Sequence, residues 1–122
     1  RLGTLYSARR GERLRFAFHC DASHTNGMGA VHGGLLMTFA DQALGLTVQD
    51  VLKTDRVATV SLNCEFVAGV HPPNWIEAEA RILRVTRALV FIEGTIFCGE
   101  TTVLSASGLW YRRPEAGSRS PL

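Results

Sequence analysis

The sequence predicts an α+β domain in which an antiparallel sheet of five or six strands wraps around one long central helix. Three observations carry that expectation. Between Val31 and about Lys53, apolar residues surround most of a helical circumference, the pattern of a buried helix. Strand-period segments follow one after another, separated by turn residues. With 122 residues, 46% of them hydrophobic and 20% charged, the chain can bury a core without disulfides or metal.

Taken in order, Leu5 to Ser7 reads as a first strand, Arg10-Gly11-Glu12 as a turn, and Leu14 to Cys20 as a second strand. In that second strand Leu14, Phe16 and Phe18 alternate with Arg15, Ala17 and His19, the period of a half-buried strand. Residues 21–30 carry Asp, Ser, Asn and Gly, which mark a loop. The helix follows, with Leu35, Leu36, Phe39, Ala40, Ala43, Leu44, Leu46, Val48, Val51 and Leu52 as its apolar residues. About 20 residues at 1.5 Å each give a rod near 30 Å, the span of a small domain.

Val57 to Val67 then sets Val60, Leu62, Cys64 and Phe66 on one face. In Asn74 to Val85, Ile76, Ala78, Ala80 and Ile82 alternate with Trp75, Glu77, Glu79 and Arg81. Leu89 to Phe97 and Thr102 to Tyr111 complete the strands, with turns at residues 69–74, 86–87 and 99–100. Residues 1–113 are expected to form one domain, and residues 114–122, rich in Pro, Gly, Ser and Arg, a disordered tail. A sheet curled around the helix fits the pattern; so does a flatter sheet whose helix is covered by a partner.

A formal net charge of +2 is too small to argue for nucleic acid and is compatible with an anionic small molecule. Cys20, Cys64 and Cys98 are odd in number and lack the C-x-x-C spacing of a zinc or redox site. They read as reduced thiols in strands, which points to a reducing, cytoplasmic setting with no metal. Neither a signal peptide nor a membrane span is apparent.

The run Asn26-x-x-Gly29-x-x-His32-Gly33-Gly34, with Asp41 nine residues after the histidine, resembles the hotdog-fold acyl-CoA thioesterases of the phenylacetic-acid-degradation type. Thr59-Val60-Ser61-Leu62-Asn63, Trp75-Ile76-Glu77-Ala78 and the stretch from Val85 to Phe91 extend the likeness over about residues 12 to 112. The resemblance implies a hotdog fold that pairs into a homodimer, often doubled to a homotetramer, with active sites at the dimer interface. It also implies hydrolysis of an acyl-CoA substrate without metal or cofactor. By position it makes Asp41 the catalytic carboxylate and Gly33 the donor of an N–H to the thioester carbonyl. Asn26 would orient substrate or water, and Thr59 would assist near the carboxylate. Pro72-Pro73-Asn74 departs from the glycine and acidic residue of many relatives, away from these groups.

The residues support that chemistry on their own terms. The first N–H groups of a helix lack internal partners and lie at its positive end, and Gly33 and Gly34 let a carbonyl approach them closely. Asp41, a charge midway along an apolar helix beside the small Gly45, is expected to be buried, at a cost that needs a reason. Gly33 and Asp41 are eight residues apart, about 12 Å along the axis, whereas donor and carboxylate must each come within about 3 Å of one carbonyl. Two helices antiparallel across a two-fold axis could meet that requirement; one helix could not.

His32 lies on the opposite helical face from Asp41 and is expected to hydrogen-bond the loop and hold the helix start, next to substrate. His19, His24 and His71 have no evident partner, and Ser61 lacks a nucleophile-elbow setting. Arg84 and Arg87 could bind the phosphates of CoA, and a solvated strand face explains them equally. The alternatives are a non-catalytic binder of acyl-CoA or a small acid on the same fold, a hydratase, for which Val31 to Met37 lacks the expected aspartate, and a thioesterase for acyl groups on a carrier protein.

Overall fold

A computed structural model describes residues 2–114 of the chain; the tail expected at residues 114–122 lies, but for Pro114, outside the described residues. The elements are β1 (Tyr6–Arg10), β2 (Arg13–Cys20), a short 3-10 turn (Ala22–His24), α1 (Gly33–Leu52), β3 (Val57–Phe66), β4 (Asn74–Val85), β5 (Leu89–Cys98) and β6 (Thr101–Arg112). The six strands form one sheet in the order β1-β2-β4-β5-β6-β3, and every neighbouring pair is antiparallel. β3 follows the helix yet lies at the far edge, so α1 crosses the sheet before the chain returns.

The alternation read in the sequence selects the inner face. Phe16 and Phe18 of β2, Ile76 and Ala78 of β4, Val90, Ile92 and Ile96 of β5, and Leu104, Ala106 and Trp110 of β6 are buried with Leu36, Phe39, Ala40, Ala43, Leu44 and Val48 of α1. Burying a Leu, Ile or Phe side chain contributes roughly 1.5–3 kcal/mol, so this shared face holds helix and sheet together. The outer face carries Glu77, Glu79 and Arg81; there Arg15 Nε donates to Glu79 at 2.7 Å and Arg81 Nε to Glu93 at 2.6 Å.

Two expectations need correction. The sheet covers a stripe of α1, not most of its circumference: Met37, Leu46 and Val51 are exposed in the single chain, so the second flank of the helix is open. In β3 the proposed row Val60, Leu62, Cys64, Phe66 fails at its first member. Leu62, Cys64 and Phe66 pair with Gly108, Ala106 and Leu104 of the inner row of β6, but it is Thr59 that pairs with Trp110. The register shifts between Thr59 and Ser61. Val60 is the extra residue of a bulge and is 55% exposed, while Thr59 turns inward.

Candidate active site

The bulge in β3 creates the first half of the site. Because one inserted residue swaps the faces on its two sides, Thr59 and Leu62 both face the helix. Thr59 Oγ1 donates to Asp41 Oδ1 at 3.0 Å. Asp41 is half-buried, not buried as expected, because it lies on the open flank of α1, where Thr59 meets it and a cavity begins.

That cavity measures about 720 Å³. Its walls are Gly45, Leu46 and Gln49 of α1, Val57 and Ala58 at the start of β3, Trp110 of β6, and Leu2, Gly3 and Leu5 of the N-terminal segment. His24, read as partnerless, anchors that segment. It is buried; its Nδ1 accepts the Asp21 N–H at 2.9 Å, so its Nε2–H donates to the Leu2 carbonyl at 3.1 Å. His71 is also engaged, through Nδ1 and the Gly29 carbonyl at 3.0 Å.

The second half is the start of α1. His32 is the N-cap, in extended backbone conformation, and its Nδ1 accepts the Gly34 N–H at 3.0 Å, the structural role expected of it. This separates the two glycines. The Gly34 N–H is engaged, whereas the Gly33 N–H has no acceptor among the described residues. Phe66 covers Gly33: a Cβ built there would lie 3.2 Å from Phe66 Cε2. Asn26 shapes the loop before the helix, its Oδ1 accepting the Met28 N–H at 2.8 Å and the Ala30 N–H at 3.3 Å. Its carbonyl is therefore committed within the loop, and only the amide nitrogen is left to meet a ligand.

The single chain thus brings Asp41 to Thr59 and holds Asn26 in the loop that leads into His32, Gly33 and Gly34, but leaves the two groups about 12 Å apart along α1. Arg84 and Arg87 join neither group. They are exposed at the β4–β5 turn, outside the cavity. The row Thr59, Trp110, Val90, Val85 runs across the sheet to that turn, which sets them three strands, or roughly 14 Å, from Thr59. Among the described residues no His, Cys, Asp or Glu cluster of three could hold a metal. The three cysteines are free, and burial pushes the Cys20 and Cys64 thiols up. No helix among the described residues is long and apolar enough to cross a membrane.

The wall residues of the cavity went unread in the sequence. Leu2, Leu5 and Trp110 carry no motif, and only Gly45 gave a hint, by leaving room one turn beyond Asp41. Gly108 belongs with them: a Cβ there would collide with the Trp110 ring, and a Cβ at Gly45 would lie 3.4 Å from its Nε1.

Comparison with known proteins places this geometry in context. The family model described as Thioesterase superfamily matches residues 28–105. A Pseudomonas aeruginosa protein provisionally named an esterase is 30% identical over 112 residues, covering 90% of this chain and 84% of its own length. A Bacillus halodurans protein solved with CoA superposes with a TM-score of 0.81 at 23% identity, covering 90% of this chain and 74% of that one. A variant of a phenylacetic acid degradation protein from Thermus thermophilus superposes with a TM-score of 0.81 at 20% identity, covering 91% and 94%. The shared architecture is the hotdog fold, one long helix on a six-stranded antiparallel sheet.

Proposed function

This chain belongs to the thioesterase superfamily of hydrolases, and from that membership we propose that it hydrolyses acyl-CoA thioesters to the free acid and CoA with Asp41 as the catalytic carboxylate. The observation that carries the reading is the Asp41–Thr59 pair at the mouth of a largely apolar cavity. Thr59 holds one carboxylate oxygen and leaves the other for the reaction. The CoA found with the Bacillus halodurans protein of like fold supports the choice of thiol.

The reaction needs an acceptor for the negative charge that develops on the thioester oxygen. The Gly33 N–H, unengaged at the positive end of α1, fills that role. Asp41 either removes a proton from water as it attacks the carbonyl carbon, or attacks the carbon itself and is released by water from the resulting anhydride. In both routes the carbon–sulfur bond breaks and the CoA sulfur leaves as thiolate, taking a proton from the carboxyl or from solvent. Gly34 and His32 keep the helix start in place beside the substrate, and Asn26 offers its amide nitrogen. Arg84 and Arg87 are assigned to the phosphates of CoA, which extends well beyond the acyl cavity.

Because Gly33 and Asp41 of one helix cannot reach one carbonyl, the site is shared by two protomers. β3 is one edge of the sheet, with Val60, Phe66 and Val67 exposed along it. An open edge with apolar side chains invites pairing with a second copy. Two-fold pairing there runs the helices antiparallel and brings Gly33 of one protomer towards Asp41 of the other. The homodimer is therefore the catalytic unit, and reduced cysteines fit a cytoplasmic setting. Thiol release from aryl, short and medium acyl-CoAs tests the reading: the wild type is expected to hydrolyse some of them and Asp41→Asn none at a comparable rate. An inactive wild type across the set would instead favour an acyl-CoA binder.

A further inference from the structure

Trp110 is 2% exposed, yet its indole N–H meets no acceptor among the described residues, an unusual condition for a buried tryptophan. The nitrogen is not sealed in the core. Among the described residues the sealed, unpartnered side-chain nitrogen is Arg112 Nε, whereas Trp110 lines the cavity beside Asp41.

The position of the ring is built by two glycines on different elements. At Gly108 of β6 a Cβ would strike Trp110 Cζ3; at Gly45 of α1 a Cβ would lie 3.4 Å from Nε1 and 3.6 Å from Cζ2. Between them is a flat slot that holds the indole with its N–H edge at Gly45. Gly45 is four residues beyond Asp41, about 6 Å along the helix. The described lining of the cavity contains Asp41 but no Lys or Arg, so it suits a neutral oxygen and disfavours a second carboxylate.

We propose that Trp110 is a specificity residue whose Nε1–H donates to a neutral oxygen carried by the acyl group. The favoured substrates are then thioesters whose acyl moiety bears a hydroxyl, keto or ether oxygen about 6 Å beyond the reacting carbonyl, roughly five bonds at about 1.2 Å each. This rests on the reading of Asp41 as the hydrolytic carboxylate, and it adds what that reading leaves open, the chemistry of the acyl group. A hydrocarbon group of the same length leaves the indole N–H unpaired, and a site with an unmet donor discriminates against such analogues.

Matched thioesters provide the test: 5-hydroxypentanoyl-CoA against hexanoyl-CoA, and 4-hydroxybenzoyl-CoA against 4-methylbenzoyl-CoA. The wild type is expected to favour the oxygenated member of at least one pair by about tenfold in kcat/KM, the worth of one hydrogen bond. In Trp110→Phe, which keeps a ring and removes the N–H, that ratio should fall to near one. Gly45→Ala sets a methyl group against Nε1 and should lower the ratio with Trp110 still present. A wild-type ratio near one in both pairs, or a ratio unchanged in Trp110→Phe, overturns the proposal. Calorimetric binding of the same four thioesters to Asp41→Asn, with and without Trp110→Phe, separates this idea from the hydrolytic one. Oxygen-selective binding that depends on Trp110, in a protein that hydrolyses nothing, keeps the proposal and rejects hydrolysis. Hydrolysis without oxygen selectivity does the reverse.

Discussion

The two ends of the stretch of α1 from Gly33 to Asp41 are built in opposite ways. At Gly33 the helix start is held by its surroundings: His32 caps it, Asn26 braces the preceding loop, and Phe66 lies over the first glycine. At Asp41 the helix opens: a hydrogen bond from Thr59 steadies the carboxylate, and beyond it is a cavity of about 720 Å³. A donor that must meet developing charge benefits from being fixed in advance. A carboxylate that must reach water or carbonyl needs space. Since about 12 Å separates them, the function proposed above makes each end half of a site and takes the complementary half from a second copy.

The contrast can be broken most severely at the open end. Asp41→Asn keeps the shape and the Thr59 contact while removing the base or nucleophile, and is expected to lower kcat by roughly 10²–10⁴-fold, read by thiol release, with little change in thermal midpoint. A loss below tenfold would detach Asp41 from the chemistry. Next comes the wall of the cavity: Gly108→Ala drives a methyl group into the Trp110 ring and should cost about 1–3 kcal/mol by denaturant titration, as overpacking does. Thr59→Val should lower kcat about three- to tenfold, the value of one hydrogen bond, and leave the melting temperature nearly unchanged.

The smallest effect is expected far from either end, at the Arg9–Asp50 pair, 2.7 Å apart on the surface. The Arg9 guanidinium holds the Asp50 carboxyl below the usual carboxylate range. A depressed carboxyl stabilises the fold above its unfolded-state value, about 3.9, and that contribution is lost as pH falls through the lower folded-state value. Asp50→Asn should therefore shift the melting temperature slightly at neutral pH, with the difference vanishing in strong acid and shrinking in high salt.

How legible these features were follows from what each one depends on. The inner rows of β2 and β4 could be read from alternation alone, because a strand with one buried face must repeat every second residue. His32 as a structural residue was readable from helical geometry. The bulge at Val60 was not, since an inserted residue changes register without requiring any residue type; yet it is what turns Thr59 toward Asp41. The helix was read as more enclosed than it is because Met37, Leu46 and Val51 are apolar without being covered in the single chain. Trp110 escaped notice because its role depends on Gly45 and Gly108 meeting across the fold.

The central claim, that each site draws Gly33 from one chain and Asp41 from the other, is tested most directly by mixing two dead variants. Gly33→Pro removes the N–H while suiting the first helical position, and the extended His32 before it tolerates proline. Neither this variant nor Asp41→Asn should turn over alone. Mixed and allowed to exchange, they should recover about a quarter of wild-type activity, since half the dimers are mixed and each restores one of two sites. No recovery, with mixed dimers verified by native mass spectrometry, would contradict the shared site.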